Sequence, residues 1–380
     1  MNANQQEAGT ADEVRLLRDS AADFVKRSTN HQRTRALRET LPGHDADVLR
    51  SLTELGWPAI LVPESHGGMG LGLTSMAAVL RELGRGLLGE PVVANWVLPV
   101  RALEFGDNDD LKAKLLPQMA EGKVTAALAF QERNGDFGSN VTRTTAVTSK
   151  TAVLLSGTKR FVAGCSGADG FLVTANADAG TGLYWIRREA PGLTLAHEWH
   201  ADGTASGILS LSGAPAEAVA ATPATCAAGL ARALDEGAVM VCAELLGILS
   251  ETLDRTLDYL RTRVQFDKPI GSFQALQHKT VDLFILQEIC QSVLEQSVRV
   301  MDESATTSAE RGRMASRCKA RLSDAGLRVT REAIQLHGAI AMTDDCDIGL
   351  YFKRAITLSA WLGNAEYHRR RFASLQPPGN

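Results

Sequence analysis

The sequence predicts an α+β chain in three parts: an N-terminal all-α domain, a middle antiparallel β domain and a C-terminal four-helix bundle. Three observations carry this reading. Apolar residues recur at near-helical spacing up to about residue 120. The period then falls to near 2 from about Lys123 to Thr222, and the helical period returns after Ala227 and holds to the end of the 380 residues. The expected divisions are therefore 1–122, 123–226 and 227–380.

In the first block, Val14, Leu16, Leu17, Ala21, Phe24 and Val25 fall at helical spacing, as do Val48, Leu49, Leu52 and Leu55, and then Met76 to Leu87. Between the second and third of these helices, Leu61 to Gly72 is too glycine-rich for a helix. Such a loop either brings backbone amides close to a ligand or simply connects two helices. In the middle block, Thr125 to Phe130, Thr151 to Leu155, Phe171 to Thr174 and Gly182 to Ile186 read as strands, with turns at Asn134-Gly135, Ser156-Gly157 and Gly180. The last block reads as long helices at about 228–262, 272–303, 308–337 and 345–373.

Between the first two of those helices lies Arg263-Val-Gln-Phe-Asp-Lys-Pro-Ile-Gly-Ser-Phe-Gln274. Pro269, Gly271 and Ser272 break the chain there, so an arginine, two glutamines and a phenylalanine gather at one corner. A guanidinium and amide donors held at a corner suit an aromatic ligand that carries phosphate, whereas the plain alternative is a solvated turn.

Bulk properties narrow the function. A formal net charge of −4 with mixed signs gives no basic surface for nucleic acid. The six cysteines, Cys165, Cys226, Cys242, Cys290, Cys318 and Cys346, lack CxxC spacing, so neither a disulfide framework nor a metal site is expected, and a cytoplasmic location is. No run approaches the roughly 18 apolar residues of a membrane span, and the polar N-terminus does not read as a signal peptide. Neither GxGxxG nor GxxxxGK[ST] occurs, so any nucleotide cofactor must bind by another geometry.

With those residues in view, the chain resembles the acyl-CoA dehydrogenase family. Arg263-x-Gln265-Phe266, Pro269-Ile270 and Phe273-Gln274 look like a family signature. Pro63-Glu64-x-His66-Gly67-Gly68-Met69-Gly70, Gln131-Glu132, Ser156-Gly157-x-Lys159 and Gln335-Leu-His-Gly338 resemble others in order, over about residues 13–373. The resemblance implies FAD as cofactor, an acyl-CoA substrate, an electron-transfer flavoprotein or similar acceptor, and a homo- or hetero-oligomer. Arg263, Gln265, Phe266 and Gln274, joined by Gln335 and Gly338, would reach the flavin of a neighbouring subunit. Within the chain's own site, Phe130 to Glu132, Phe161 to Ala163, and Gly363, Asn364 and Glu366 match positions near the flavin ring and adenine.

The family reaction needs a carboxylate to take the proton next to the thioester carbonyl while a hydride leaves the following carbon. At one family position for that base this chain has Leu362, in Trp361-Leu-Gly-Asn364; at the other, 26 residues before Arg263, it has Gly237. Two nearby carboxylates are the candidates. Glu244 is the lone charge in an apolar helical run, two turns beyond Gly237 and on the same face; Glu236 adjoins Gly237. The alternative for Glu244 is a place on the helix's polar side or an ion pair with an arginine of a neighbouring helix, and for Glu236 an exposed place in the first turns. Asp267, Ala339 and Ala341 add charge or bulk where the family usually has glycine. Three functions stay open: an FAD-dependent dehydrogenase forming a 2,3-enoyl-CoA, a catalytically incomplete half-site subunit of a heteromeric dehydrogenase, and a flavin-dependent oxygenase or oxidase. The histidines carry packing or hydrogen-bonding readings, and the basic run His368–Arg371 reads as a solvated helix end, with contact to the CoA phosphates as its alternative.

Overall fold

A computed structural model describes residues 3–28, 30–137, 142–149, 152–220 and 222–376. The chain opens with helices α1 (Ala3–Ser28), α2 (His31–Ala36), α3 (Ala46–Glu54), α4 (Leu73–Arg85), α5 (Leu98–Glu104) and α6 (Asp109–Ala120). Strands β1 (Ala126–Ala129), β2 (Thr145–Thr148), β3 (Val153–Ala163), β4 (Gly170–Ala177), β5 (Gly180–Arg187), β6 (Leu193–Trp199) and β7 (Ala205–Ala220) follow. Then come α7 (Pro223–Thr262), the short hairpin β8 (Val264–Gln265) and β9 (Lys268–Pro269), α8 (Gln274–Asp302), α9 (Ser308–His337), α10 (Ile348–Ala360) and α11 (Ala365–Ser374).

Close contacts divide the chain into two compact units. One holds Met1–Ala36, Leu73–Leu88 and Ala238–Asn380; the other holds Leu37–Gly72 and Gly89–Gly237. The first unit is helical. Its packing follows from long amphipathic faces: α9 buries Ala315, Cys318, Leu322, Ala325, Val329 and Ala333 at three- and four-residue steps. Asp302 at the end of α8 caps α4, accepting from the backbone of Leu73 and Thr74, so a carboxylate satisfies the amides that begin that helix.

The second unit contains the sheet. Its pairings run β4–β2–β3–β7–β5 and back to β4, which closes a ring, with β1 beside β4 and β6 beside β7. Most pairings are antiparallel as expected, but β1–β4 and the single β2–β4 step, Thr145↔Asn176, are parallel. Leu155, Val162, Phe171, Val173, Ile186, Leu209 and Leu211 fill the ring interior with their neighbours.

Three local expectations change. Ser156-Gly157 is no turn: β3 runs on through it with a shifted register, and Gly157 sits at φ 147° where a Cβ would lie 2.7 Å from Thr144 Cα. Glycine is needed there for the close approach of backbone, which the sequence reading mistook for a chain reversal. Of the expected strand Thr151 to Leu155, Thr151 lies outside the described residues, Ala152 precedes the strand, and Val153 to Leu155 begin β3. The last expected helix, 345–373, is two helices, broken at Trp361 to Asn364 where Leu362 and Gly363 take φ of 57° and 101°. Strand β7 was missed because its Ala, Gly and Ser content carries little β signal.

Candidate active site

The corner after α7 is open to solvent. Val264 pairs with Pro269 and Gln265 with Lys268, so the chain reverses through Phe266 and Asp267, both with left-handed φ of 55° and 62°. That conformation is costly for a bulky residue and turns the Phe266 ring outward, where it remains 83% exposed. Lys268 Nζ sits over the Phe273 ring, whose edge meets Phe266. Arg263, Gln265 and Gln274 are exposed as well; the Gln265 amide donates to the Val264 carbonyl, and the Arg263 guanidinium has no ion pair among the described residues. Gln335 and Gly338 join this corner from the end of α9, because Tyr259 stacks on His337 at 4.4 Å and donates to its carbonyl.

This donor set fits FAD. A free guanidinium and three amide side chains beside an exposed aromatic ring match a pyrophosphate and its adenine. Gly338, at φ 71°, has nothing within 4 Å of where a Cβ would stand, which leaves room for a ligand against the backbone. Of the two alanines, Ala341 is buried, so its methyl adds no bulk to the open face, whereas Ala339 is exposed.

Gly363, Asn364 and Glu366 lie elsewhere. Lys319, whose ammonium holds the Gly363 carbonyl, precedes His337 by eighteen residues, about 27 Å along α9. A single chain therefore carries two separate groups of the expected flavin residues. The turn from Trp361 to Asn364 is built from within. Lys319 Nζ donates to the carbonyls of Leu358, Ser359 and Gly363 at 2.9–3.1 Å and to Ser323 Oγ, capping the end of α10. Burial pulls the Lys319 ammonium down to about 8. His368 Nε2 lies 2.9 Å from the Leu362 carbonyl, and burial followed by the nearby Lys319 charge lowers its pKa to about 3. The imidazole is thus neutral and donates from Nε2. Gly363 is obligatory, since a Cβ would come within 2.7 Å of Tyr367 and His368. Asn364 caps α11 through the Tyr367 amide, and Glu366 pairs with Arg370.

Both candidate bases meet guanidinium groups. Glu244 Oε1 receives Arg354 Nη2 at 2.7 Å and Nε at 2.8 Å, the ion-pair alternative for that residue. Glu236 is not exposed but almost fully buried, between Arg101 Nε and Arg232 Nε, each at 2.8 Å. Each carboxylate is thus occupied by guanidinium donors, and taking a substrate proton would require that ion pair to open.

In the β unit, Gln131 is buried and its carbonyl accepts from the Arg160 amide. Glu132 faces inward to Lys159, Thr142 and Thr144. The glycine-rich loop spends its amides on itself, those of His66 to Leu71 all donating to carbonyls between Ala59 and Glu64. It is a closed connection. The basic run is only partly a solvated end: His368 is buried, Arg369 pairs with Asp324, and Arg371 donates to Ser316. All six cysteines are free, five of them buried.

Sequence reasoning missed Lys319 and His368 as supports of the Leu362 turn. A signal existed: Lys319 stands among Ala315, Leu322 and Ala325 on the core face of α9, where a lysine needs several acceptors. Arg354 carried no such signal.

Among the described residues no helix is long and apolar enough to cross a membrane. The family model for the acyl-CoA dehydrogenase N-terminal domain matches residues 11–123, and that for the acyl-CoA dehydrogenase C-terminal domain matches 229–374. A relative from Mycolicibacterium smegmatis, acyl-CoA dehydrogenase IpdE2, is 28% identical over 95% of this chain and 98% of its own. The solved Tcur3481-Tcur3483 steroid ACAD variant is 30% identical with a TM-score of 0.86, covering 96% of this chain and 98% of that one. The ChsE4-ChsE5 complex from Mycobacterium tuberculosis has a chain 25% identical, also at a TM-score of 0.86, covering 97% and 98%.

Proposed function

Because the chain belongs to the acyl-CoA dehydrogenase family, whose members are FAD-dependent oxidoreductases, we propose that it works as one subunit of an oligomeric acyl-CoA dehydrogenase. The assembly converts an acyl-CoA thioester to the 2,3-enoyl-CoA and passes electrons to an electron-transfer flavoprotein or similar carrier. One observation carries the subunit reading: Phe266 is 83% exposed on a strained turn beside Arg263, whose guanidinium has no ion pair among the described residues. An aromatic ring held outward at such a cost has its use outside the chain. Val281, Phe284, Ile285 and Ile289 on α8, with Ile340 and Met342 after α9, add an exposed apolar face for the same neighbour.

In this reading Arg263, Gln265, Phe266, Gln274, Gln335 and Gly338 hold the cofactor of the neighbouring subunit. Gly363, Asn364 and Glu366 serve the chain's own site. Bound FAD supplies the hydride acceptor. Glu244 is this chain's first candidate to take the α-proton and Glu236 the second, and the arginines on both favour a partner chain as the source of the base. The domain divisions 1–122, 123–226 and 227–380 are proposed with the family architecture. The relative described as a steroid ACAD makes bulky, ring-bearing acyl-CoA thioesters the first substrates to test.

The test is spectroscopic. The chain purified alone should take up less FAD than the same chain co-purified with a second dehydrogenase chain, read from the flavin absorbance bands. Anaerobic acyl-CoA should bleach the flavin of the complex, whereas an oxygenase would need oxygen. With Glu244→Gln, persistent bleaching at the parent rate assigns the base to the partner; loss of bleaching with FAD retained assigns it to Glu244. A chain that takes up no FAD in either form would sink the proposal.

A further inference from the structure

Lys159 on β3 is completely buried, yet it carries an ammonium group. Its Nζ donates to Glu132 Oε1 at 2.7 Å, Thr142 Oγ1 at 2.6 Å, Thr174 Oγ1 at 3.0 Å and the Phe130 carbonyl at 3.4 Å. Glu132 in turn accepts from the Arg143 and Thr144 amides and the Thr144 hydroxyl. One ion pair thereby ties the chain leaving β1 to β3, to β4 and to the chain entering β2.

Its position along β3 is informative. Lys159 pairs with Leu209, the register then slips, and pairing resumes at Val162↔Gly207. Inside the slip Phe161 takes a left-handed φ of 57°, a conformation costing about 1–2 kcal/mol for a residue with a Cβ. Such a bulge persists only where its surroundings over-determine it. Here the Arg160 amide is bound to the Gln131 carbonyl at 2.9 Å, between the two residues that Lys159 holds on the neighbouring segment.

We propose that Lys159 is a positioning residue: closing on Glu132, it fixes the exit of β1 against the bulge of β3 and so sets the surface that receives the flavin ring. The flavin part rests on the function proposed above; the clasp itself does not. Breaking a buried pair by removing one partner strands a charge, whereas removing both spares the fold. That asymmetry separates positioning from plain stability.

In the full chain, Glu132→Gln should lower the melting temperature, and the double variant Glu132→Gln with Lys159→Met should recover most of it. In that double variant, hydrogen exchange at the Arg160 amide should quicken about tenfold and FAD should bind about tenfold more weakly, the worth of one lost hydrogen bond. Recovered stability with unchanged Arg160 protection would overturn the clasp. Lost protection with FAD binding unchanged would overturn its role toward the flavin. Should the double variant not fold, Thr174→Val loosens the ammonium and keeps the pair; faster exchange at Arg160 with little change in melting is then expected, and unchanged exchange overturns the proposal. A parent chain that takes no FAD, alone or with a partner, removes the proposed function, and Arg160 exchange still decides the clasp.

Discussion

Two corners of the helical unit have opposite character. From Arg263 to Gln274 the chain turns outward, with a strained hairpin, an exposed ring and a guanidinium without an ion pair among the described residues. From Trp361 to Asn364 it turns inward, and a buried lysine and a buried histidine hold four backbone carbonyls in place. Both corners use left-handed residues and both match family motifs. The first spends its strain on presenting groups to something outside the chain, whereas the second spends buried polar groups on keeping its own shape. Motif matching alone does not tell the two apart, because the distinction lies in what each polar atom meets.

Substitutions should separate them by size of effect. Lys319→Met leaves the buried Leu358 and Gly363 carbonyls without a donor and the Ser359 carbonyl with only the Ser323 hydroxyl at 3.4 Å, so a loss of about 3–5 kcal/mol is expected in urea unfolding. A loss below about 1 kcal/mol would mean that the inward corner supports itself.

The next effect depends on pH. The folded-state pKa of His368, about 3, lies below its ordinary value of 6.5, so unfolding takes up a proton between those values. The stability from this group is present above pH 6.5 and drains as pH falls towards 3, by about 1.4 kcal/mol per unit. Between pH 6.5 and 5 the parent should therefore lose about 2 kcal/mol more than His368→Asn does, whatever the absolute stability of the variant. Parallel unfolding curves across that range would show that the imidazole already carries charge in the fold.

The outward corner should be the mildest for the isolated chain. Arg263→Gln and Phe266→Ala are expected to change unfolding by less than about 0.5 kcal/mol, as exposed positions usually do. Their effect should appear in FAD retention and in the fraction of oligomer by sedimentation. If either variant lowers stability as Lys319→Met does, the contrast between the corners fails.

Much of the architecture was readable from periodicity. The change from helical to alternating spacing near Lys123, and back near Ala227, is local information, and local sterics impose those periods. Strand β7, which went unread, is rich in Ala, Gly and Ser, where side chains say little about pairing. The Ser156-Gly157 bulge shows the same limit, since a glycine needed by Thr144 across the sheet looks like a glycine needed for a turn.

By itself, the sequence determined the three blocks, the polar corner at Arg263 to Gln274, and the lack of a carboxylate at Leu362 and Gly237. Only the tertiary structure decided what the remaining carboxylates can do. Glu244 meets Arg354, 110 residues later, and Glu236 meets Arg101, 135 residues earlier. The same holds for Lys319, which stands 44 residues before the carbonyl it caps at Gly363. The basicity of a carboxylate and the state of a buried lysine depend on charges and dipoles within a few ångströms. Those neighbours are set by folding, and no spacing along the chain records them.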